Sequence, residues 1–183
     1  MLEPLTASQR ERLVAAMAEV ERLVIASLVR IEIIDPREPD ARFCLRSYFA
    51  ELGRRFDGGF DPAQSIPAGD QEMSLPDGLL LVATVQGSPV GCGALKLHPD
   101  TGIAEVKRMW VRSGVRGLGL GRRLLECLAE EASTRGMSTL RLETNQTLTE
   151  ARRLYETAGF VEVEAFNDEP YAHHWFQRDL KSL

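Results

Sequence analysis

The sequence predicts an α/β fold built on one mixed β-sheet. Some segments carry apolar residues at spacings of three and four, other segments are short and rich in β-branched residues, and the two kinds interleave along the chain. Their order is helix, strand, helix, loop, three strands, helix, strand, helix and two strands. Because the early strands follow one another directly, the sheet is expected to begin antiparallel. The later strand–helix–strand unit predicts at least one crossover.

The N-terminal part of the chain supplies two helices and one strand. A helix is predicted from about Ser8 to Val24, with Ser8 as its cap and Glu11 completing a capping box. The next segment, SLVRIEIID, is predicted as a strand that Pro36 stops. A second helix follows in EPDARFCLRSYFAELGRRF, where Pro39 suits the first turn.

The middle of the chain reads as a loop, three strands and a helix. From Asp57 to Asp77 the sequence is dense in Gly, Pro, Asp and Ser, so a loop is predicted whose order comes from a partner or ligand. GLLLVATV and VGCGALKL are predicted as strands joined by the hairpin turn QGSP, and AEVKRMWV is predicted as a third strand. The helix that follows is expected to end at Gly136. Its buried face is expected to carry Leu120, Leu124, Leu125, Leu128 and Ala132.

The C-terminal part is predicted to hold one strand, one helix and two final strands. TLRLET alternates leucine with charged residues, as a half-buried strand does. TEARRLYETAG is predicted as a helix capped by Thr149 and closed by Gly159. FVEVEAF and AHHWFQRDL are predicted as strands. Because His173 and His174 would point to opposite faces of a strand, they cannot chelate one metal ion, and no metal site is expected.

Length and composition favour a single globular domain, with 183 residues of which 44% are hydrophobic and 27% charged. The net charge of -5 argues against a nucleic-acid partner for this chain alone. The longest apolar stretch, GLLLVATV, is too short to span a membrane, and MLEPLTASQRER does not resemble a signal peptide. With no CxxC pair, free thiols and a cytoplasmic location are expected for the scattered cysteines Cys44, Cys92 and Cys127.

A glycine-rich stretch, VRSGVRGLGLGRRLL, places Gly117, Gly119 and Gly121 between a predicted strand and a predicted helix. A P-loop requires Lys followed by Ser or Thr after the last glycine, where this chain has Arg122 and Arg123. The GxGxG spacing also differs from the dinucleotide-binding fingerprint. A tight turn without a ligand is one alternative. The helix N-terminus, the accessible backbone and the flanking arginines favour an anion, for which a pyrophosphate is suitable.

Three segments in order resemble the GNAT superfamily of N-acetyltransferases. Arg116 to Gly121 resembles its R-x-x-G-x-G loop, AEVKRMWV its fourth strand and EARRLYETAGF its late helix, and the resemblance runs from about Leu28 to Leu180. It implies a GNAT-like mixed, mostly antiparallel central sheet flanked by helices, with a V-shaped splay between the fourth and fifth strands. It also divides the chain into an N-terminal helical extension, residues 1–27, and a GNAT domain, residues 28–183.

The resemblance implies an acetyl-CoA-dependent N-acetyltransferase that works by direct attack and without a metal. Glu105 is the implied base, acting directly or through water, and the alternative is that it only pairs with Lys107 or Arg141. Tyr155 is the implied acid that protonates the leaving thiolate, and the alternative is a core aromatic residue.

The cofactor-binding residues implied by the resemblance lie at the end of the fourth strand and in the glycine-rich loop. The backbones of Met109 and Val111 would pair with the pantetheine arm, as a neighbouring strand does. Many family members have Asn seven positions before the Tyr, where this chain has Leu148, so Asn145 is a candidate replacement. The whole predicted set is Met109, Trp110, Val111, Arg116, Gly117, Leu118, Gly119, Leu120, Gly121, Arg122 and Asn145.

The acceptor is expected between residues 51–77 and 166–171, with Arg54, Phe56 and Glu169 as candidate contacts. Carboxylates there would attract an amine, and Arg54 or Arg55 could hold a carboxylate of the acceptor. This mixture suits the primary amine of a small, amino-acid-like molecule. The alternatives are a peptide or protein amine, or a non-catalytic module that binds acetyl-CoA for regulation.

The N-terminal segment LTASQRERLVAAMAEVERLV resembles the last helix of MarR-type transcription regulators, without a winged-helix portion. Its apolar spacing suits either packing on its own domain or the seam of a homodimer.

Overall fold

The computed structural model describes residues 5–180, leaving aside the side chains of residues 21, 22 and 26. Seven strands form one sheet, and four α-helices accompany it. The helices are α1 (Ala7–Ser27), α2 (Pro39–Arg55), α3 (Leu120–Thr134) and α4 (Thr149–Thr157). The strands are β1 (Val29–Ile33), β2 (Gly78–Val85), β3 (Ser88–His98), β4 (Ile103–Val111), β5 (Thr139–Thr144), β6 (Val161–Val163) and β7 (His174–Asp179).

The sheet has the order β1-β2-β3-β4-β5-β7-β6, and β4 with β5 is its parallel pair. Pairing between these two strands covers only Ile103–Glu105 against Thr139–Arg141, although both strands continue beyond it. Because the continuing parts no longer pair, the sheet opens into a V between them. The predicted mixed, mostly antiparallel sheet with a splay between the fourth and fifth strands is therefore confirmed.

Helices cover the sheet on both faces and enclose two hydrophobic clusters. On one face α3 buries the predicted leucine stripe together with Tyr155, Phe160 and Phe176. On the other face α2 packs Ala41, Cys44 and Leu45 against β2 and β3. The three cysteines are free thiols, and two of them are fully buried.

The helix caps differ from those predicted. Thr6, not Ser8, caps α1, because its Oγ1 accepts the Gln9 amide at 3.2 Å while the Gln9 side chain accepts the Thr6 amide at 2.8 Å. The same capping-box pattern occurs two residues earlier than predicted, so it fixes the earlier start. Thr149 is the first residue of α4 rather than its cap, and no side chain caps that helix.

The segment from residue 57 to 77 is a loop, as predicted, but contacts with its own chain order it. Ser65 Oγ and the Ile66 amide both donate to Glu169 Oε2, at 2.9 and 2.7 Å. The Asp61 amide donates to the Tyr171 hydroxyl at 2.9 Å. The expectation that a partner or ligand supplies the order was therefore wrong, because residues distant in sequence supply it.

Helix α1 lies with its apolar side chains exposed to solvent. Leu13, Met17, Val20 and Val24 recur at spacings of four, three and four and are 48%, 63%, 60% and 52% exposed. In this structure the stripe therefore does not pack against its own domain. The division of the chain at residue 27 stays a prediction, and its ends at residues 1–4 and 181–183 lie outside the described residues.

Two further observations concern classes of site. No helix within residues 5–180 is long and apolar enough to cross a membrane. In the same part of the chain, no three His, Cys, Asp or Glu side chains are grouped as metal ligands would be. The ring of His174 lies 2.6 Å from the Glu162 carboxylate, and His173 precedes β7.

Candidate active site

Two adjoining spaces open where β4 and β5 diverge. The outer cleft is lined by residues from α2, the end of β4, the glycine-rich loop and α4, including Glu51, Arg55, Met109, Trp110, Val111, Arg116, Gly117, Gly119, Leu120, Gly121, Arg122 and Tyr155. The inner cavity is lined by Tyr48, Phe56, Phe60, Lys107, Arg108, Glu143, Asn145, Tyr155, Glu169 and Tyr171, among others. Tyr48, Leu52, Met109, Leu148, Ala151 and Tyr155 border both.

A β-bulge in β4 shapes the boundary between the two spaces. Lys107 is paired with Ala94 and Trp110 with Cys92, so Arg108 and Met109 together lie opposite Gly93. Arg108 has φ 57, which residues other than glycine adopt only where the surroundings impose it. A Cβ on Gly93 would lie 2.6 Å from the Met109 sulfur and 2.8 Å from a methyl carbon of Leu128, so a larger residue on the facing strand would displace these two side chains.

The glycine-rich loop forms the end of the outer cleft. Gly117 and Gly119 have φ 79 and φ 77, the left-handed conformation that glycine adopts readily. Helix α3 begins directly after them, and its first i to i−4 bond runs from the Arg123 amide to the Gly119 carbonyl at 2.9 Å. Within the described residues, the amides of residues 117–122 donate to no backbone carbonyl. The loop therefore presents N–H groups at a helix N-terminus, an arrangement that binds anions.

Glu51 of α2 ties the glycine-rich loop to the helix that faces it across the outer cleft. Its Oε2 accepts from Arg116 Nη2 at 2.5 Å and from Trp110 Nε1 at 3.0 Å. Arg116 Nε also donates to the Val111 carbonyl at 2.8 Å. Two of the residues predicted to bind the cofactor are thus held in place by one carboxylate that the sequence analysis missed.

The arginine of α2 that reaches the outer cleft is Arg55. Its Nη2 donates to the Thr147 carbonyl and to the Glu150 carboxylate, both at 2.8 Å, and so connects α2 to the start of α4. Arg54, which was predicted to contact the acceptor, is exposed and lines neither space. The two arginines were indistinguishable in sequence because both lie in the last turn of the same helix.

Tyr155 lies at the junction of the two spaces. Burial raises the pKa of its hydroxyl well above the ordinary tyrosine value, and the nearby Tyr48 and Glu143 act in the same direction. Because a raised pKa favours the protonated form, the hydroxyl can donate a proton throughout the neutral and mildly alkaline range. The hydroxyl is therefore in the protonated form that an acid requires, and the same rise in pKa makes it a weaker proton donor than an ordinary tyrosine.

Two carboxylates flank a buried lysine beside the inner cavity. Lys107 Nζ lies 2.5 Å from Glu143 Oε1 and 3.1 Å from Glu105 Oε2, and the lysine is 7% exposed. Burial acts to lower the pKa of Lys107, but the two carboxylates outweigh it and raise that pKa, so the amine stays charged. Glu143 lines the inner cavity, whereas Glu105 does not line it and lies 3.2 Å from His98 Nε2.

The other predicted residues are placed as follows. Asn145 lines the inner cavity rather than the outer cleft, with its Nδ2 bonded to the Tyr171 carbonyl at 2.7 Å and its Oδ1 to the Thr147 amide at 2.9 Å. Phe56 and Glu169 also line the inner cavity. Leu118 lines a separate hollow beside Val29.

Comparisons with known proteins agree with this geometry. Residues 45–160 match the family model described as the acetyltransferase (GNAT) family. The chain is 41% identical over 118 residues to the IAA acetyltransferase of Azospirillum brasilense, covering 64% of this chain and 76% of that protein. It is 33% identical over 93 residues to the human (Homo sapiens) N-acetylaspartate synthetase, covering 51% of this chain but 31% of that protein. The crystal structure of a Klebsiella pneumoniae protein described as an acyl-CoA N-acyltransferase superposes with a TM-score of 0.67 at 27% identity, covering 84% of this chain and 98% of that one.

The left-handed conformation of Gly119 provides a test of the loop. Gly119→Ala is expected to weaken coenzyme A binding about tenfold, because a side chain costs about 1–2 kcal/mol in that conformation. Isothermal titration calorimetry would measure the loss. Gly114→Ala is the matched control, since Gly114 lies just before the loop with open space around it and no positive φ. Equal affinity of both variants would show that the loop conformation does not set binding.

Proposed function

Because the chain belongs to the GNAT family of acetyltransferases, we propose that it transfers the acetyl group of acetyl-CoA to the primary amine of a small, amino-acid-like acceptor. The family uses acetyl-CoA as its co-substrate. One observation carries the proposal: Tyr155 borders both the outer cleft and the inner cavity, so a single hydroxyl can serve donor and acceptor.

The outer cleft suits the coenzyme. The amides of the glycine-rich loop, with Arg116 and Arg122 beside them, match the charge of a pyrophosphate. On its β5 side, β4 has no strand partner after Glu105, which leaves backbone groups as far as Val111 for the pantetheine arm. These features support the predicted cofactor set, with the exceptions that Leu118 and Asn145 lie outside the cleft.

The proposed chemistry is direct attack of the amine on the thioester carbonyl. A base first removes a proton from the ammonium group, because only the neutral amine is a nucleophile. The new C–N bond forms as the carbonyl oxygen gains negative charge, and the C–S bond then breaks. Tyr155 donates its proton to the departing thiolate, and the attacking nitrogen loses its second proton to water or to the resulting tyrosinate, giving free coenzyme A and an acetamide.

The base is one of the two carboxylates that flank Lys107. Family resemblance favours Glu105, whereas the geometry favours Glu143, which lines the inner cavity and influences the pKa of Tyr155. We place the base at Glu143 and assign to Glu105 the role of holding the lysine charge, which it meets at 3.1 Å.

A small acceptor is favoured over a peptide because the long loop forms part of the wall of the inner cavity. Ser65 and Ile66 of this loop are bonded to Glu169, and all three residues line the cavity. The name N-acetylaspartate synthetase of one relative also specifies an amino acid. We further propose a cytoplasmic location, for which the three free thiols are suitable.

The exposed stripe of α1 is proposed to pair with a second copy of the chain. Four apolar residues at spacings of four, three and four form a seam of the kind found in two-stranded coiled coils. An uncovered stripe of this kind is costly in water, and a homodimer removes it without a further partner.

The acid role of Tyr155 predicts the behaviour of Tyr155→Phe. The variant should lower kcat about 100-fold while leaving the affinity for acetyl-CoA unchanged, because the ring remains and only the proton donor is lost. In the wild type, the raised pKa means that ionisation of this tyrosine should not reduce the rate at pH 10, where a free tyrosine is half ionised. A wild-type kcat in the variant would exclude the role.

The two carboxylates are separated by their amide variants. Glu143→Gln is expected to lower kcat/KM by at least about 100-fold, because an amide cannot take the proton of the ammonium group. Glu105→Gln is expected to keep most of the activity, since Glu143 still pairs with Lys107 in that variant. A loss of about 100-fold in Glu105→Gln alone would assign the base to Glu105.

The homodimer is tested by placing a charge in the seam. Met17→Glu is expected to convert a dimer into a monomer in sedimentation equilibrium, because a buried unpaired carboxylate is strongly unfavourable. Ala15→Glu adds the same charge on the other side of α1 and should leave the dimer intact. A wild-type chain that sediments as a monomer would exclude the pairing.

A further inference from the structure

Arg108 is a cation placed at the wall of the inner cavity by the bulge in β4. It lines the cavity together with Glu143 and Tyr155, and it is half-buried. Its φ of 57 breaks the strand alternation, so the side chain is directed by the bulge and not by the ordinary register. A strained backbone at this position indicates that the surroundings hold the arginine there.

The guanidinium of Arg108 is held mainly by aromatic rings. It lies over the ring of Phe49 at 4.9 Å and over that of Tyr48 at 5.8 Å. Burial raises the pKa of the Tyr48 hydroxyl. Arg108 partly offsets this rise, because its positive charge and its hydrogen bond to Tyr48 both lower that pKa. Its Nε is buried and has no hydrogen-bond partner, and within residues 5–180 no carboxylate forms an ion pair with it.

The other charges around the cavity are already matched. Lys107 is paired with two carboxylates, and Glu169 accepts from Ser65, from Ile66 and from the Tyr171 amide at 3.2 Å. Glu72, whose pKa Arg108 helps to lower, is held by Lys96 at 2.5 Å. Among the described charges of the cavity wall, Arg108 is thus the cation that lacks an anion. A half-buried guanidinium in that position is a strong site for an incoming carboxylate.

We propose that Arg108 binds the carboxylate of the acceptor, so that the substrates of this enzyme are amines that carry a free carboxylate, free amino acids above all. The inference rests on the proposed function, whose acceptor site it specifies. The rings of Tyr48 and Phe49 orient the plane of the guanidinium, which favours a two-point contact with a carboxylate. The amine of the same molecule then lies on the side of Glu143 and Tyr155. The aromatic wall formed by Phe56, Phe60 and Tyr171 is suited to an apolar side chain.

The test compares acceptors that differ only in the carboxylate. L-Phenylalanine, L-phenylalaninamide and phenethylamine share one ring, and the remaining amino acids with their amides complete the panel. Wild type should favour the acids over the amides by at least about 100-fold in kcat/KM. Arg108→Gln should lower kcat/KM for the acids about 100-fold, mainly through KM, and leave the amides unchanged.

Two further variants separate binding from folding. Arg112→Gln is the matched control. The guanidinium of Arg112 lies 5.1 Å from the ring centre of Phe43, which belongs to α2 like Tyr48 and Phe49, but Arg112 lines neither the outer cleft nor the inner cavity. It should leave both classes of acceptor unchanged. Arg108→Asn removes the guanidinium with a residue that tolerates a positive φ, so it should reproduce the loss if Arg108→Gln is misfolded. Thermal midpoint and coenzyme A affinity report on folding in each variant.

Calorimetry of N-acetyl-L-phenylalanine and its amide distinguishes this proposal from the proposed function. If no amine is acetylated but the acid binds and Arg108→Gln abolishes that binding, the carboxylate site stands and the acetyl-transfer proposal fails. If amines are acetylated but acids and amides are used equally, or if Arg108→Gln reduces both equally, the carboxylate site is overturned and the transfer activity stands. If neither acid binding nor turnover is found, both are overturned.

Discussion

The divergence of β4 from β5 is the constraint on which the rest of the site depends. Only Ile103–Glu105 of β4 pairs with β5, and the bulge at Arg108 and Met109 then bends β4 while Gly93 on β3 makes room for it. Backbone N–H and C=O groups that lose their strand partner inside a protein need another hydrogen-bond partner, such as a ligand or water. The open V contains two adjoining spaces with Tyr155 between them, and in the proposed function the outer one takes the coenzyme along β4 and the inner one takes the acceptor.

Charges paired between distant elements hold this opening in shape. Glu51 joins α2 to the glycine-rich loop, and Arg55 joins α2 to the start of α4. Glu169 joins the last part of the chain to the long loop. Each contact crosses an edge of the two spaces, so the walls of the site are fixed by ion pairs and hydrogen bonds while the helices pack on the two faces of the sheet. The guanidinium of Arg108 differs from these groups because aromatic rings, and no carboxylate, hold it.

Local sequence patterns predicted the fold well, because periodicity, glycines and prolines act within a few residues. The leucine stripe of α3 was predicted correctly, and so was the position of Gly117 and Gly119 between the preceding strand and that helix. The inner cavity was harder to predict, since Glu143 and Arg108 look like ordinary surface charges of strands. In TLRLET and AEVKRMWV, alternating residues place the charged side chains on one face of the strand. The bulge changes this alternation at Arg108, and no local sequence pattern predicts the bulge. The order of the long loop depended on Glu169, about a hundred residues away, and therefore could not be derived from the loop itself.

A crystal structure of the protein with bound coenzyme A tests the central claim most directly, because it locates the sulfur and the pyrophosphate together. The account predicts the pyrophosphate on the amides of residues 117–122 and the sulfur within hydrogen-bond reach of the Tyr155 hydroxyl, at the junction with the inner cavity. A coenzyme whose sulfur lay away from Tyr155, or whose phosphates bound elsewhere than the glycine-rich loop, would contradict it.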